Sequence, residues 1–464
     1  MALFHLFKAF VNRMRRDERQ FDDAQLCTPS RRVLRPNLLL PSLLVGLTTG
    51  AIGVLFDLSF AALIFAGSLS SYLSVGVGLI LFSVASTRVV TALTSSLPGV
   101  VADLGTVPTV ILAWSAGAIA KDLSTSASPT EILVTVLAEI ALTSALTGVC
   151  LLLLGVLRVG EWVRSLPHPV IGGFVASTGW LLIKGGFKVM TDKPLGLPQL
   201  SFLLQADVLI QWLPGLLLAI YLLVISRRQM HPAVMSVSLI AAVGLFYAVL
   251  FLTGTSVAQA SVQGWMMERL TSQETWQPFS VSAWSQVRWS AIFEQLTCIV
   301  TVIAITAISL LLNLTGLELV AGQEMDVNRE LKLAGATNII LGLSGGILSY
   351  HSLSKSILAH KMGAKNRIVG LVEAGVFFIF PWLAISLVSY VPKVILGGLL
   401  LFLGLSLLVE WVYLAWFRLA KADYLVVQVI LVVSATIGFL QGLIVGWLMA
   451  IALLVIAYKR LSNV

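Results

Sequence analysis

The chain has 464 residues, 58% of them hydrophobic and only 11% charged, with a mean hydropathy of +0.96. A soluble domain carries about a quarter of its residues as Asp, Glu, Lys and Arg, so a water-facing surface for this chain cannot be assembled, which excludes soluble enzymes and nucleic-acid-binding domains. The net charge of +8 is spread between apolar runs, as in a polytopic membrane protein, and forms no single basic face.

Residues 1–42 open with MALFHLFKAFVNRMRR, in which Leu3, Phe4, Phe7, Phe10, Val11 and Met14 recur at helical spacing, with Lys8, Arg13, Arg15 and Arg16 among or after them. The apolar stretch is too interrupted for a signal peptide and too short to span, and it reads as an interfacial cytoplasmic helix. A ruler of about 20 apolar residues per crossing then places segments at 43–66, 72–96, 106–120, 130–157, 168–187, 207–225 and 233–253. A polar stretch, 254–288, follows as an extracytoplasmic loop. Further segments read at 289–317, 329–347, 351–361, 367–391, 394–410, 423–440 and 442–458. The expectation is an all-α polytopic protein of fourteen segments, with one set of seven in 43–253 and a second in 289–464. Cys27, Cys150 and Cys298 lack metal-ligand spacing and read as apolar fillers or free thiols.

Positive charge tests this topology, because cytoplasmic loops are enriched in Lys and Arg. With the N-terminus inside, the inner segments hold twenty-one Lys and Arg and the outer ones seven. That bias predicts an even number of crossings with both termini in the cytoplasm. The reading is an integral protein of a plasma membrane, bacterial inner membrane included, with no nucleic-acid partner.

The third and tenth segments differ from the rest. The third, GTVPTVILAWSAGAIAKDL, follows the glycine-broken SSLPGVVADLG, and the tenth, HSLSKSILAHKMG, follows GLSGGILSY. Paired short, Gly/Pro-interrupted segments at matching places in two halves point to a midplane site in a transporter. Thr106, two residues ahead of Pro108, and Ser352, ahead of Leu353 and Ser354, supply helix-start chemistry. Two half-helices beginning in mid-membrane would turn free N–H groups and positive dipole ends toward one cavity, which attracts an anion or a carboxylate.

From Asn313 to Trp411 the chain resembles the SulP family of sulfate-permease-like anion transporters. The resemblance is carried by NREL (Asn328 to Leu331), AGATNIILGLSGG, SLSKS (Ser352 to Ser356), MGAKNRIVGLVEAG and VPKVILGGLL from Val391, in that order. The first half matches through Leu63 to Gly67 and the short third segment. The resemblance implies two inverted repeats of seven, half-helices 3 and 10 preceded by short strands, a core and a gate domain, and a homodimer. By position it implies substrate contacts at Val107, Pro108, Thr109, Ser352, Leu353, Ser354 and Lys355, with Asn313, or Glu318 by a shifted register, at the eighth-helix polar position. The chain ends at Val464, so the STAS domain that usually follows in this family is expected to be absent. Leu58 to Ala62 lack the family's glutamine and bring Asp57 just before them. SLSKS and NLTGLEL are closer to a branch with fungal vacuolar members linked to basic amino acids.

Ionisable residues inside a bilayer are costly and default to functional hypotheses. Asp57, mid-span without a Lys or Arg within a helical turn, reads as a proton or cation coupling group. Glu318 and His351 are further coupling candidates, the latter because it adjoins the tenth half-helix and titrates near neutrality. Glu139 and Glu373 read as groups that satisfy polar partners in the bundle, and Arg88 with Asp103 as an internal ion pair. An enzyme is disfavoured: GLSGG resembles a rhomboid nucleophile loop, but the span count and the histidine order differ, and there is no HExxH or Walker lysine loop. No cofactor is expected beyond a coupling Na+ or H+. The reading is a secondary active symporter for a small inorganic anion, bicarbonate or sulfate, working by alternating access. A proton-coupled basic amino-acid carrier is the alternative.

Overall fold

A computed structural model of the chain describes residues 36–158, 168–193, 195, 200–228, 233–267, 285–361, 366–388, 390–437, 441–442, 444–450 and 452. The interfacial helix, Cys27, about half of the last segment and much of the extracytoplasmic loop lie outside the described residues. The chain divides into Met1–Leu39, of which 36–39 are described, and Leu40–Val464.

Thirteen main helices appear among the described residues: α1 Pro36–Ile64, α2 Leu73–Thr94, α3 Thr106–Asp122, α4 Pro129–Val156, α5 His168–Thr191, α6 Ala206–Arg227, α7 Ala233–Leu252, α8 Leu296–Ala321, α9 Val327–Leu343, α10 Leu353–Lys361, α11 Arg367–Val388, α12 Lys393–Leu408 and α13 Lys421–Thr436. Among the described residues, seven helical stretches are long and apolar enough to cross a bilayer. The third and tenth helices are short, as expected, and each follows a four-residue strand: β1 Val101–Leu104 before α3 and β2 Ser349–Ser352 before α10.

Several boundaries differ from the sequence reading: α1 starts at Pro36, ahead of the expected 43, and α12 runs on through a π-helical stretch, Val409–Leu414, to Arg418. Residues 289–317 break at Gln295 into a short helix, Trp289–Glu294, and α8. The ninth helix stops at Leu343, where Gly345 takes a φ of 81° and turns the chain toward β2. The tenth begins at Leu353 because His351 and Ser352 are extended and belong to the ladder. Hydropathy is blind to that switch, since a buried strand and a buried helix share the same apolar content.

Several helix starts follow local chemistry. Ser128 and Glu131 form a capping box on α4. The Asp326 side chain accepts from Arg329 N at the start of α9. At α10, Lys355 N donates to Ser352 Oγ at 3.4 Å, the capping role expected of Ser352. Thr106 does not cap α3: it is the first helical residue, and Gly105 precedes it without a side-chain cap.

Small residues set the closest helix contact. Along α4 and α9, Cβ atoms added at Gly148, Gly335 and Gly342 would stand 2.5 Å from backbone nitrogens of the facing helix. Membrane helices approach this closely only through such residues. Gly335→Val is therefore expected to lower stability in detergent by about 1–3 kcal/mol or more, because the obstacle is backbone. Ile340→Ala, at a side chain 66% exposed, is the matched control and should leave the melting temperature near wild type.

The ladder at the centre is antiparallel and pairs Val101 with Ser352, Ala102 with His351, Asp103 with Tyr350 and Leu104 with Ser349. Two strands cannot satisfy their own outer edges, and hydrocarbon offers no replacement donors. Side chains from neighbouring helices do so. Asn338 of α9 clamps Ser349, accepting from its N and donating to its O, both at 2.9 Å. Arg88 Nε donates to Ala102 O at 2.9 Å, and Val101 N donates to Ser356 Oγ at 2.9 Å.

Candidate functional site

Because β1 and β2 run antiparallel and each leads straight into a helix, the N-termini of α3 and α10 both start at the ladder. A cavity of about 170 Å³ lies there, lined from β1 and α3 by Leu104, Gly105, Thr106 and Val107, from β2 and α10 by Tyr350, His351, Ser352, Leu353 and Ser354, and from α8 by Ser309 and Asn313. The first N–H groups of a helix have no intrahelical partner and carry the positive end of its dipole. With the Ser and Thr hydroxyls beside them, the two tips form a donor-rich pocket for a small oxyanion or carboxylate. Gly105 keeps the approach open: a Cβ there would stand 2.4 Å from the Tyr350 ring.

The expected contact residues divide. Val107, Asn313, Ser352, Leu353 and Ser354 line the cavity, as does His351. Pro108, Thr109 and Lys355 do not, though Thr109 Oγ1 is buried without a partner among the described residues. Asn313 also fixes the strand, donating from Nδ2 to His351 O at 2.8 Å. Leu104, Gly105, Thr106, Ser309 and Tyr350 complete the lining and were outside the sequence reading. Ser309 sits one helical turn before Asn313 on α8, a spacing that could have found it.

Behind the tips lies a buried charge cluster. Lys355 touches Asp103 Oδ2 and places Nζ 3.9 Å from Asp57 Oδ1. Arg88, fully buried, reaches Asp103 Oδ1 at 3.1 Å and Glu373 Oε2 at 3.4 Å, and its guanidinium lies 3.9 Å from the centre of the Phe377 ring. Thr49 of α1 donates to Glu373. The expected Arg88 to Asp103 pair is present. Asp57, isolated on its own helix, meets a cation only through the tertiary fold. The cluster joins two cations to three carboxylates.

A second buried pair flanks β2. His351 Nε2 lies 2.8 Å from Glu330 Oε2, and Glu330 Oε1 accepts from Ser96 N at 2.6 Å and Ser96 Oγ at 2.7 Å. The glutamate of NREL thus holds the loop before β1 and the histidine of β2 together. Glu318 is placed elsewhere: its Oε1 accepts from Met325 N at 3.1 Å, across the turn that ends α8. Glu139 of α4 accepts from Ser115 of α3. Ser344, of the rhomboid-like GLSGG, donates to Leu341 O in its own turn at 2.9 Å.

Comparison with known proteins agrees with this architecture. The sequence model of the sulfate permease family matches residues 39–430. The vacuolar basic amino acid transporter VSB1 of Saccharomyces cerevisiae is 28% identical over 330 residues, which cover 69% of this chain and 32% of that protein. The probable sulfate transporter Rv1739c of Mycobacterium tuberculosis is 31% identical over 141 residues, covering 30% of this chain and 24% of that protein. The chain spans about a third or less of the length of these curated relatives. Among solved structures, the transmembrane domain of the cyanobacterial bicarbonate transporter BicA superposes with a TM-score of 0.66 at 17% identity, covering 89% of this chain and 98% of that one. SLC26A9 gives 0.71 at 18%, covering 91% and 66%.

Proposed function

The chain belongs to the sulfate permease family, and on that premise we propose that it is a secondary active transporter of a small inorganic anion of the bicarbonate or sulfate class. The observation that carries this reading is the cavity in which the first turns of α3 and α10 meet. In it the anion takes hydrogen bonds from main-chain N–H groups, from Thr106, Ser352, Ser354 and Ser309 hydroxyls, and field from two helix ends. Fourteen segments in two inverted repeats, a core rocking against a gate, and a homodimer complete the proposal. Coupling to a proton or cation runs through Asp57, whose charge is balanced only when Lys355 stays close.

Binding to the purified protein tests it, with sulfate, bicarbonate, nitrate, arginine and uracil compared across pH. Saturable sulfate or bicarbonate binding that Ser352→Ala and Ser354→Ala weaken is expected. Binding of arginine alone would overturn the anion reading.

One observation favours that second reading, a basic amino-acid carrier. Lys355, the cation nearest the tips, is already engaged by Asp57 and Asp103, and the cluster holds one carboxylate in excess. A substrate carboxylate at the helix tips with a cationic group toward this excess matches both charges, and VSB1 is named for such cargo. Asp57→Asn separates the roles. Gradient-driven accumulation is expected to collapse to equilibrium while exchange persists; loss of all substrate binding instead would make Asp57 a direct contact.

A further inference from the structure

A second cavity, of about 500 Å³, lies between α3 and α5. On α3 its wall runs from Val110 through Ala113, Trp114, Gly117 and Ala118 to Lys121 and Asp122, the i, i+3, i+4, i+7 pattern of one helix face. Continued one turn toward the N-terminus, the same stripe reaches Thr106 and Val107, which line the tip cavity. The two spaces lie along one face of one helix, with Lys121 roughly 20 Å from the tip at the rise of an α-helix.

Three lysines converge on the second cavity: Lys121 from α3, and Lys184 and Lys188 one turn apart on α5. None of them forms an ion pair among the described residues, although Asp122 also lines the space. Asp192, the acid after α5, is engaged by Lys393 at 2.9 Å. The Lys184 ammonium sits 5.5 Å from the Trp180 ring centre, and the Lys188 side chain lies over Gly67 and Gly117. Like charges one helical turn apart repel, and the third adds to them. The helix C-terminal dipoles complement Lys121 and Lys188, in the last turns of their helices, and the Trp180 ring faces Lys184, but none of these supplies a full negative charge to the three. An anion answers all three.

Leu63 and Gly185 also line this cavity. Leu63 of α1 packs on the bare Cα of Gly185 on α5, where a Cβ would stand 2.2 Å from Leu63 Cδ1. We propose that the lysine cavity is an anion-capture vestibule on the transport path, separate from the tip cavity. It takes a small oxyanion, and Leu63 packed on Gly185 closes it from the site. This rests on the anion reading above. In the alternate state Leu63 leaves Gly185 and the two spaces join along the α3 face.

The test uses the full chain reconstituted in neutral-lipid vesicles. Lysine acylation read by mass spectrometry should show sulfate protecting Lys184 and Lys188, independently of any transport. The Lys184→Gln/Lys188→Gln variant should raise the KM for sulfate about tenfold at low salt from the vestibule side alone. The kcat should be unchanged, and the difference should close at high ionic strength. Leu63→Ala should add uncoupled flux. An absence of sulfate protection would overturn the vestibule, as would protection only by vesicles of anionic lipid, which marks a headgroup site, or a loss confined to kcat. Lysine protection with no sulfate bound at the tips would overturn the anion reading of the tip site and leave the vestibule standing.

Discussion

Arg88→Leu is expected to be the most destabilising single change in the membrane-embedded region. The side chain is 1% exposed and ties its own helix α2 to two other elements: to Ala102 O and Asp103 on β1, and to Glu373 and the Phe377 ring on α11. Leucine fills much of the volume but leaves the Ala102 carbonyl without the Arg88 donor and Glu373, still held by Thr49, without its cation. Removing one partner of a buried pair typically costs about 3–5 kcal/mol, against a total of about 5–15 kcal/mol for a domain. The measurement is a thermal or denaturant midpoint in detergent. The double variant Arg88→Leu/Glu373→Leu should recover part of the loss, because it removes the orphaned acid, and the recovery in a double-mutant cycle measures the pair. Strict additivity of the two single changes would mean that Arg88 and Glu373 do not interact, against their 3.4 Å contact.

Lys355→Gln is expected to abolish transport while the protein still folds. Its ammonium joins Asp57 of α1 to Asp103 of β1 at the base of α10, and a glutamine amide in its place can still donate to one of the two acids. Stability should fall by roughly 1–3 kcal/mol, the range for leaving a buried polar partner unsatisfied. Transport should fall far more, because two acids then stand uncompensated beside the helix tips that must receive the substrate. Lys355→Arg keeps the charge and should retain measurable uptake. Asp57→Asn in the Lys355→Gln background removes one uncompensated acid and should restore folding stability without restoring accumulation. Full activity of Lys355→Gln would show that the cluster has no part in the transport cycle.

The membrane class, most helix boundaries and the two short helices were legible because each is a local property. Apolar runs of about 20 residues mark a crossing, and Gly105, Pro108, Gly345 and Gly346 mark where a crossing is broken. The cavity was half legible. Val107, Asn313, Ser352, Leu353 and Ser354 follow from the order of motifs and Ser309 from its helical spacing to Asn313, whereas Tyr350 enters only when β2 is folded against α3. Lys355 belongs to the charge cluster and is absent from the cavity lining, because Asp57 and Asp103 draw its ammonium away from the tips. The histidine and the NREL glutamate were each visible, but their contact was not.

Which residues are apolar, where the backbone can break and how charge is shared between loops are written along the chain, and they determine that it crosses a membrane through helices interrupted at two matching places. Which buried charges neutralise one another was decided only by tertiary packing. Glu330 meets Ser96 across 234 positions, and Thr49 meets Glu373 across 324. Hydropathy and helical periodicity act over one or two turns. The cost of an unpaired charge in low dielectric acts through space, so it selects partners only once the helices are side by side.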